Sequence, residues 1–215
     1  MKKFISEFLG TYLLIFAGTG AIVINQQYNG VITHMGIAAT FGLVVMSLIY
    51  AFGEISGAHF NPAVSIAFTV AGRFPAKQLG PYIFSQLAGA VLASFTLKMM
   101  FPANALLGAT MPSGSELQSL VMEFILTFFL MLVIFNVATG SKEQGMFAGI
   151  AIGAVVGLEA MFAGPVCGAS MNPVRSLGPA VVSGHSEHLW IYLLAPIAGA
   201  LLAVPVFKIL KHNKS

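Results

Sequence analysis

The chain has 215 residues, of which 57% are hydrophobic and 8% charged, with a formal net charge of +3. Soluble domains carry roughly a quarter charged residues, so this composition excludes an ordinary water-soluble fold and points to a polytopic membrane protein. No basic cluster offers a face to nucleic acid, and the single cysteine, Cys167, excludes an internal disulfide and a multi-cysteine metal site.

Six apolar segments are long enough to cross a hydrocarbon core of about 30 Å. In chain order they fall near residues 4–24, 33–53, 79–100, 117–138, 145–163 and 189–210. Lys2 and Lys3 resemble the head of a secretory leader. Glu7 interrupts the apolar run, however, and the run continues to Ile24, so it is read as a retained span. Polar and turn-forming residues separate the spans, as in Asn25–Gly30, Pro112–Ser115, Thr139–Glu143 and Ser183–Glu187. With the N-terminus inside, Lys2, Lys3, Arg73, Lys77, Lys142, Lys208, Lys211 and Lys214 are cytoplasmic and Lys98 alone is outside. That asymmetry predicts both termini in the cytoplasm.

Two short stretches stand apart from the spans. One runs from Ser56 through Gly57, Ala58, His59 and Phe60 to Asn61, Pro62 and Ala63, after the second span. The other runs from Gly168 through Ala169, Ser170 and Met171 to Asn172, Pro173, Val174 and Arg175, after the fifth. Asn is a favoured helix N-cap and Pro a favoured first helical residue, so each stretch predicts irregular backbone feeding a short helix. Irregular backbone at membrane depth must be buried in protein or line a watery cavity.

The halves repeat. Asn61 and Asn172 are 111 residues apart, the Tyr82–Ala90 stretch returns as Tyr192–Ala200 at a shift of 110, and the Glu7–Leu14 stretch returns as Glu123–Leu130 at a shift of 116. Three spans per half invert the second copy relative to the first. The predicted fold is an all-α membrane protein of six transmembrane helices plus two re-entrant half-helices, one domain over 1–215 with halves of about 1–110 and 111–215. Gly145, Gly149, Gly153 and Gly157, at steps of four, predict a close helix-packing face.

Inversion brings the two half-helix N-termini together. Each start carries about half a positive charge and unpaired N–H groups, so their meeting point repels cations and protons. Asn amides directed into the passage would donate to a moving oxygen, and the carbonyls before each Asn would accept. The arrangement suits single-file passage of neutral, hydrogen-bonding solutes. No nucleophile–base pair or phosphate loop suggests an enzyme, and His34, His185 and His188 read as loop or interface residues without metal-ligand spacing.

Both boxes resemble the signatures of the major intrinsic proteins, the aquaporins and aquaglyceroporins. The resemblance covers the whole chain, including the span-1 glutamate echoed in span 4. It implies pore motifs at Asn61, Pro62, Ala63 and at Asn172, Pro173, Val174, with pore carbonyls at Gly57, Ala58, His59, Gly168 and Ser170. It implies that Glu7 and Glu123 brace the loops, and that an outer filter comprises Phe41, Ala160, Ala169 and Arg175. Two alanines there imply an opening wide enough for glycerol, urea or undissociated metalloid acids, and the run Gly36–Met46 with Gly164-Pro165 is similar to the plant nodulin-like branch. A homotetramer in a cell membrane, contacting lipid and needing no cofactor or metal, is also implied. Three positions depart from the family pattern: Val174 replaces Ala, Glu54 stands where many members have His, and Glu159 adjoins Ala160. A strict water channel, and a coupled transporter built on inverted repeats, remain as alternatives. Cys167, two residues before Ala169, is expected in the extended approach to the second box, open to mercurials from the pore.

Overall fold

The computed structural model describes residues 1–139 and 145–212. Lys142 and Lys214, counted above for orientation, lie outside the described residues. Among these, the first half contains α1 (Lys2–Gln27), α2 (Thr33–Ser56), α3 (Pro62–Val70) and α4 (Ala76–Met100). The second half contains α5 (Glu116–Ala138), α6 (Ala148–Cys167), α7 (Pro173–Ser183) and α8 (Leu189–His212). Six of the helices are long and apolar enough to cross a membrane. The other two, α3 with 9 residues and α7 with 11, reach only about 13 and 16 Å at 1.5 Å per residue.

Local chemistry sets the boundaries. Asn61 and Asn172 cap α3 and α7, each accepting a backbone N–H with its side-chain oxygen, and Pro follows each at the first helical position. Ser115 caps α5 by accepting from the Gln118 N–H at 3.1 Å. Both α2 and α6 run further than hydropathy indicates, to Ser56 and Cys167 instead of about 53 and 163. Hydropathy weighs Glu54 and Pro165 as breaks, whereas the helices stop only where glycine takes a left-handed conformation. Pro165 has no N–H for the carbonyl of Met161, four residues earlier. That carbonyl instead accepts from His34 Nε2 at 2.6 Å, which ties the start of α2 to the end of α6. His34 is therefore a tie between helices as well as an interface residue.

The repeat is visible in the packing. A methyl on Gly89 of α4 would overlap the Phe8 carbonyl of α1, and a methyl on Gly199 of α8 would overlap the Phe124 carbonyl of α5. These are the same contact in the two halves. The glycine face on α6 meets α2: a Cβ at Gly153 would lie 2.6 Å from the Gly42 carbonyl oxygen, and one at Gly42 would lie 2.7 Å from the Gly153 oxygen. Gly149 faces the Tyr50 ring and Gly157 faces Ala38 and Gly42. Gly145 is the exception, because it precedes α6 and has open space around it.

Gly153→Leu should force α2 and α6 apart at backbone level and cost about 1–3 kcal/mol, the usual range for overpacking. Thermal unfolding in detergent should show a clear drop for this variant, with Gly145→Ala close to the parent.

Candidate pore and filter

Each half delivers its irregular stretch by the same backbone device. Gly57 at φ 87° ends α2, and Gly168 at φ 83° ends α6. Left-handed residues follow that are not glycine: Ala58 (φ 51°) and Phe60 (φ 48°), then Ala169 (φ 41°) and Met171 (φ 53°). Such conformations cost on the order of 1–3 kcal/mol each and persist only where the surroundings over-determine them.

Two buried carboxylates over-determine these. Glu7 of α1 accepts the N–H groups of His59 (3.0 Å) and Phe60 (2.7 Å), the Ser56 hydroxyl (2.7 Å) and the Gln86 amide (2.8 Å). Glu123 of α5 accepts the N–H groups of Ser170 (2.7 Å) and Met171 (2.8 Å). Both acids are fully buried. His59 with Phe60 and Ser170 with Met171 are matching pairs under the 111-residue shift.

The asparagines then lock to each other's loops. Asn61 Nδ2 donates to the Met171 carbonyl at 2.8 Å, and Asn172 Nδ2 donates to the Phe60 carbonyl at 2.9 Å. An amide nitrogen carries two hydrogens, so this crossing leaves one on each Asn for another acceptor. The oxygen of each amide is already committed to its own helix cap. At this point the chain therefore offers donors from both sides. The carbonyls of Gly57, Ala58, His59, Gly168 and Ser170 accept no hydrogen bond among the described residues, whereas those of Phe60 and Met171 are spent on the crossing.

A continuous cavity of about 710 Å³ runs past both loops. Phe41, Ala160, Ala169 and Arg175, the filter positions the family resemblance implies, all border it. Gly57, Ala58, His59, Asn61, Ser170 and Asn172 border it as well. Pro62, Ala63, Pro173, Val174 and Gly168 are not part of its wall. The two prolines, Ala63 and Val174 are buried in α3 and α7, so the bulk of Val174 goes into core and does not narrow the passage. Arg175 is buried, with Nη1 donating to the Gly108 carbonyl at 2.7 Å and its guanidinium carbon 5.0 Å from the centre of the Phe41 ring. The Phe41 ring occupies the place a methyl on Gly18 would need. The His59 ring bonds Ser65 Oγ through Nδ1 at 3.0 Å and stacks on Phe68 at 5.0 Å.

Among the departures, Glu54 borders the cavity near Tyr50 and Met146, while Glu159 is buried and outside its wall. The expectation for Cys167 is corrected. It is the last residue of α6, not part of an extended approach; it is fully buried and its thiol donates to the Ala163 carbonyl at 3.6 Å. Helix α6 reaches the glycine at 168, so position 167 still follows helical geometry and turns from the passage. Reading the sequence also missed Gln86, which joins Glu7 to Ser65, and Gly18, which admits Phe41. A polar Gln inside an apolar span was the available signal for the first; the second had none.

Comparison with known proteins agrees with this geometry. The profile of the family described as "Major intrinsic protein" matches residues 1–207. Aquaporin NIP1-1 of Zea mays is 50% identical, covering 99% of this chain and 76% of that protein. Nodulin-26 of Glycine max is 51% identical, covering 99% and 79%. Among solved structures, the aquaglyceroporin from Plasmodium falciparum superposes with a TM-score of 0.83 at 29% identity, covering 96% of this chain and 94% of that one.

Removing one buried acceptor from a brace should cost about 1–3 kcal/mol, the penalty of an unsatisfied buried donor. Glu7→Gln and Glu123→Gln should each lower the unfolding midpoint by a comparable amount if both braces are needed; an unchanged midpoint for either would remove it from that role. Cys167 should react with maleimide only after unfolding, and a membrane-permeant thiol reagent should leave solute flux unchanged.

Proposed function

The chain belongs to the major intrinsic proteins, whose members are channels and not enzymes, and we propose that it is a wide-filter member passing glycerol, urea and undissociated metalloid acids as well as water. Membership makes it a multi-pass membrane channel for water and small solutes. The wide filter rests on one observation. Ala160 and Ala169 both border the cavity beside Phe41 and Arg175, so two sides of the constriction end in a methyl group.

A solute entering a narrow site loses water contacts, and each polar group must find a replacement. Phe41 covers the carbon face of a polyol, while the Arg175 guanidinium donates to its hydroxyl oxygens. Carbonyls of Gly57, Ala58, His59 and Ser170, which border the cavity, then serve as acceptors along the path. The remaining N–H of Asn61 and of Asn172 donates to the solute midway. Two helix N-termini at that point raise the barrier to cations and protons, the logic of aquaporin-type pores generally. Glu7 and Glu123 act as braces of the two loops. In the Plasmodium falciparum protein the same fold carries the name aquaglyceroporin, which supports the wider reading.

We take the whole chain as one channel unit, with repeat halves of about 1–110 and 111–215. The positive-inside asymmetry supports cytoplasmic termini in a cell membrane. The apolar outward residues, Leu43, Ile125 and Phe129 among them, suit lipid or neighbouring subunits of a homotetramer.

Stopped-flow measurements on proteoliposomes test the filter. Glycerol, urea and boric acid should enter well above the empty-liposome rate. Ala160→His should depress glycerol entry far more than water entry, and Arg175→Ala should weaken discrimination against ions or protons. If water alone passes, the chain is a strict water channel.

A further inference from the structure

Among the described residues, the cavity wall carries two charged side chains, Arg175 and Glu54. Arg175 stands at the filter, its guanidinium carbon 5.0 Å from the centre of the Phe41 ring. Glu54 follows more than three turns after Phe41 on the same helix, α2, about 20 Å away along its axis. That span exceeds twice the Debye length of about 8 Å, so neither charge cancels the other. The loop leads inward between them. It leaves α2 at Gly57, passes Ala58 and His59, and reaches Asn61, which bonds the second loop that carries Ala169 and Arg175.

No hydrogen bond or ion pair reaches the exposed Glu54 carboxylate among the described residues. Arg73 and Lys211 are placed over the Phe207 ring, which stacks on Phe135, and neither borders the cavity. What does stand beside Glu54 is an aromatic ring. Side chains four apart on a helix are neighbours, and the tilt of the Cα–Cβ bond leans Glu54 back toward Tyr50. Tyr50 borders the cavity too. Its hydroxyl donates to the Met146 carbonyl at 3.1 Å, and its ring lies where a methyl on Gly149 would be. On the other side of Glu54 come the carbonyls of Gly57, Ala58 and His59, which accept no hydrogen bond among the described residues.

A carboxylate, a ring and unused carbonyl oxygens together complement a planar organic cation. Guanidinium presents parallel N–H groups to a carboxylate, stacks on aromatic rings and is weakly hydrated. A calcium ion gathers about six to eight oxygens, more than one carboxylate and its neighbouring carbonyls supply. Guanidinium also has the flat outline of urea, so it fits where a neutral permeant solute fits. Its charge is turned back where the N-termini of α3 and α7 meet. Many members of the family carry histidine in place of Glu54, so the feature belongs to this chain and not to the fold.

We propose that the cavity mouth at Glu54 is a binding site for small guanidinium-class cations, which enter from that end and plug the passage. The inference rests on conduction through this cavity, not on the width of the filter, so water flux is a sufficient readout.

Stopped-flow water flux into proteoliposomes of the full chain, with guanidinium chloride on both faces and sodium chloride at the same concentration as reference, tests the plug. At about 50 mM, a concentration suited to one partly solvated carboxylate and a ring, guanidinium should slow water flux about twofold. Glu54→Gln and Glu54→His, each scaled to its own rate in sodium chloride, should lose the slowing. Radiolabelled guanidinium should enter no faster than into empty liposomes. Broadening of the carbon-13 guanidinium signal by the protein in detergent reads binding without flux, and Glu54→Gln should abolish it. Broadening without water conduction would sink the channel reading and leave the site standing. The site is overturned if the parent causes no broadening or if Glu54→Gln broadens the signal equally. The plug is overturned if a conducting parent is not slowed, if the variants are slowed equally, or if guanidinium itself passes.

Discussion

Everything in this structure depends on satisfying backbone N–H groups that lie at membrane depth outside any helix. Lipid offers them nothing, and each unsatisfied group costs several kcal/mol, so the loops exist only if the protein itself supplies acceptors. Glu7 and Glu123 supply them, each from the interior of a long helix and each to two consecutive residues. In each half one carboxyl group thus holds a left-handed residue directly, Phe60 or Met171, which in turn aims the following Asn-Pro pair. The half-helices, their N-termini and the asparagine crossing are all downstream of that one arrangement.

The crossing has its own logic. Asn61 and Asn172 each cap one helix with oxygen and reach the other loop with nitrogen. Neither loop can shift without breaking a bond to its counterpart, so the two halves are held in register where the half-helix N-termini meet. A side chain with only an acceptor or only a donor could make one of those bonds but not both. The choice of asparagine follows from needing both functions within a short reach.

Much of this was legible in the sequence. Hydropathy located the six spans, the Asn-Pro pairs located both short helices, and the repeated glutamate and tyrosine landmarks exposed the duplication. Phe41 of the first half and Ala160, Ala169 and Arg175 of the second all border one cavity. What escaped were features decided by three-dimensional neighbours. The His34 tie depends on a carbonyl freed by Pro165 in a helix remote in sequence. The orientation of Cys167 depends on α6 continuing to its glycine stop, which hydropathy cannot see because the last turn is broken by small residues and a proline. Gly18 matters only because an aromatic ring happens to need its space.

The unequal dressing of the two glutamates has an evolutionary consequence. Glu7 is surrounded by side-chain partners as well as backbone, so its loop tolerates little change around it. Glu123 holds its loop through the backbone N–H groups of Ser170 and Met171, and those do not depend on which side chains the loop carries. Ala160, Ala169 and Arg175 all sit in that second half. A duplicated gene that kept one copy rigid and the other permissive could therefore exchange pore-lining side chains in the permissive copy without putting the scaffold at risk, and new solute preferences could be reached by few substitutions confined to one side of the ancestral repeat.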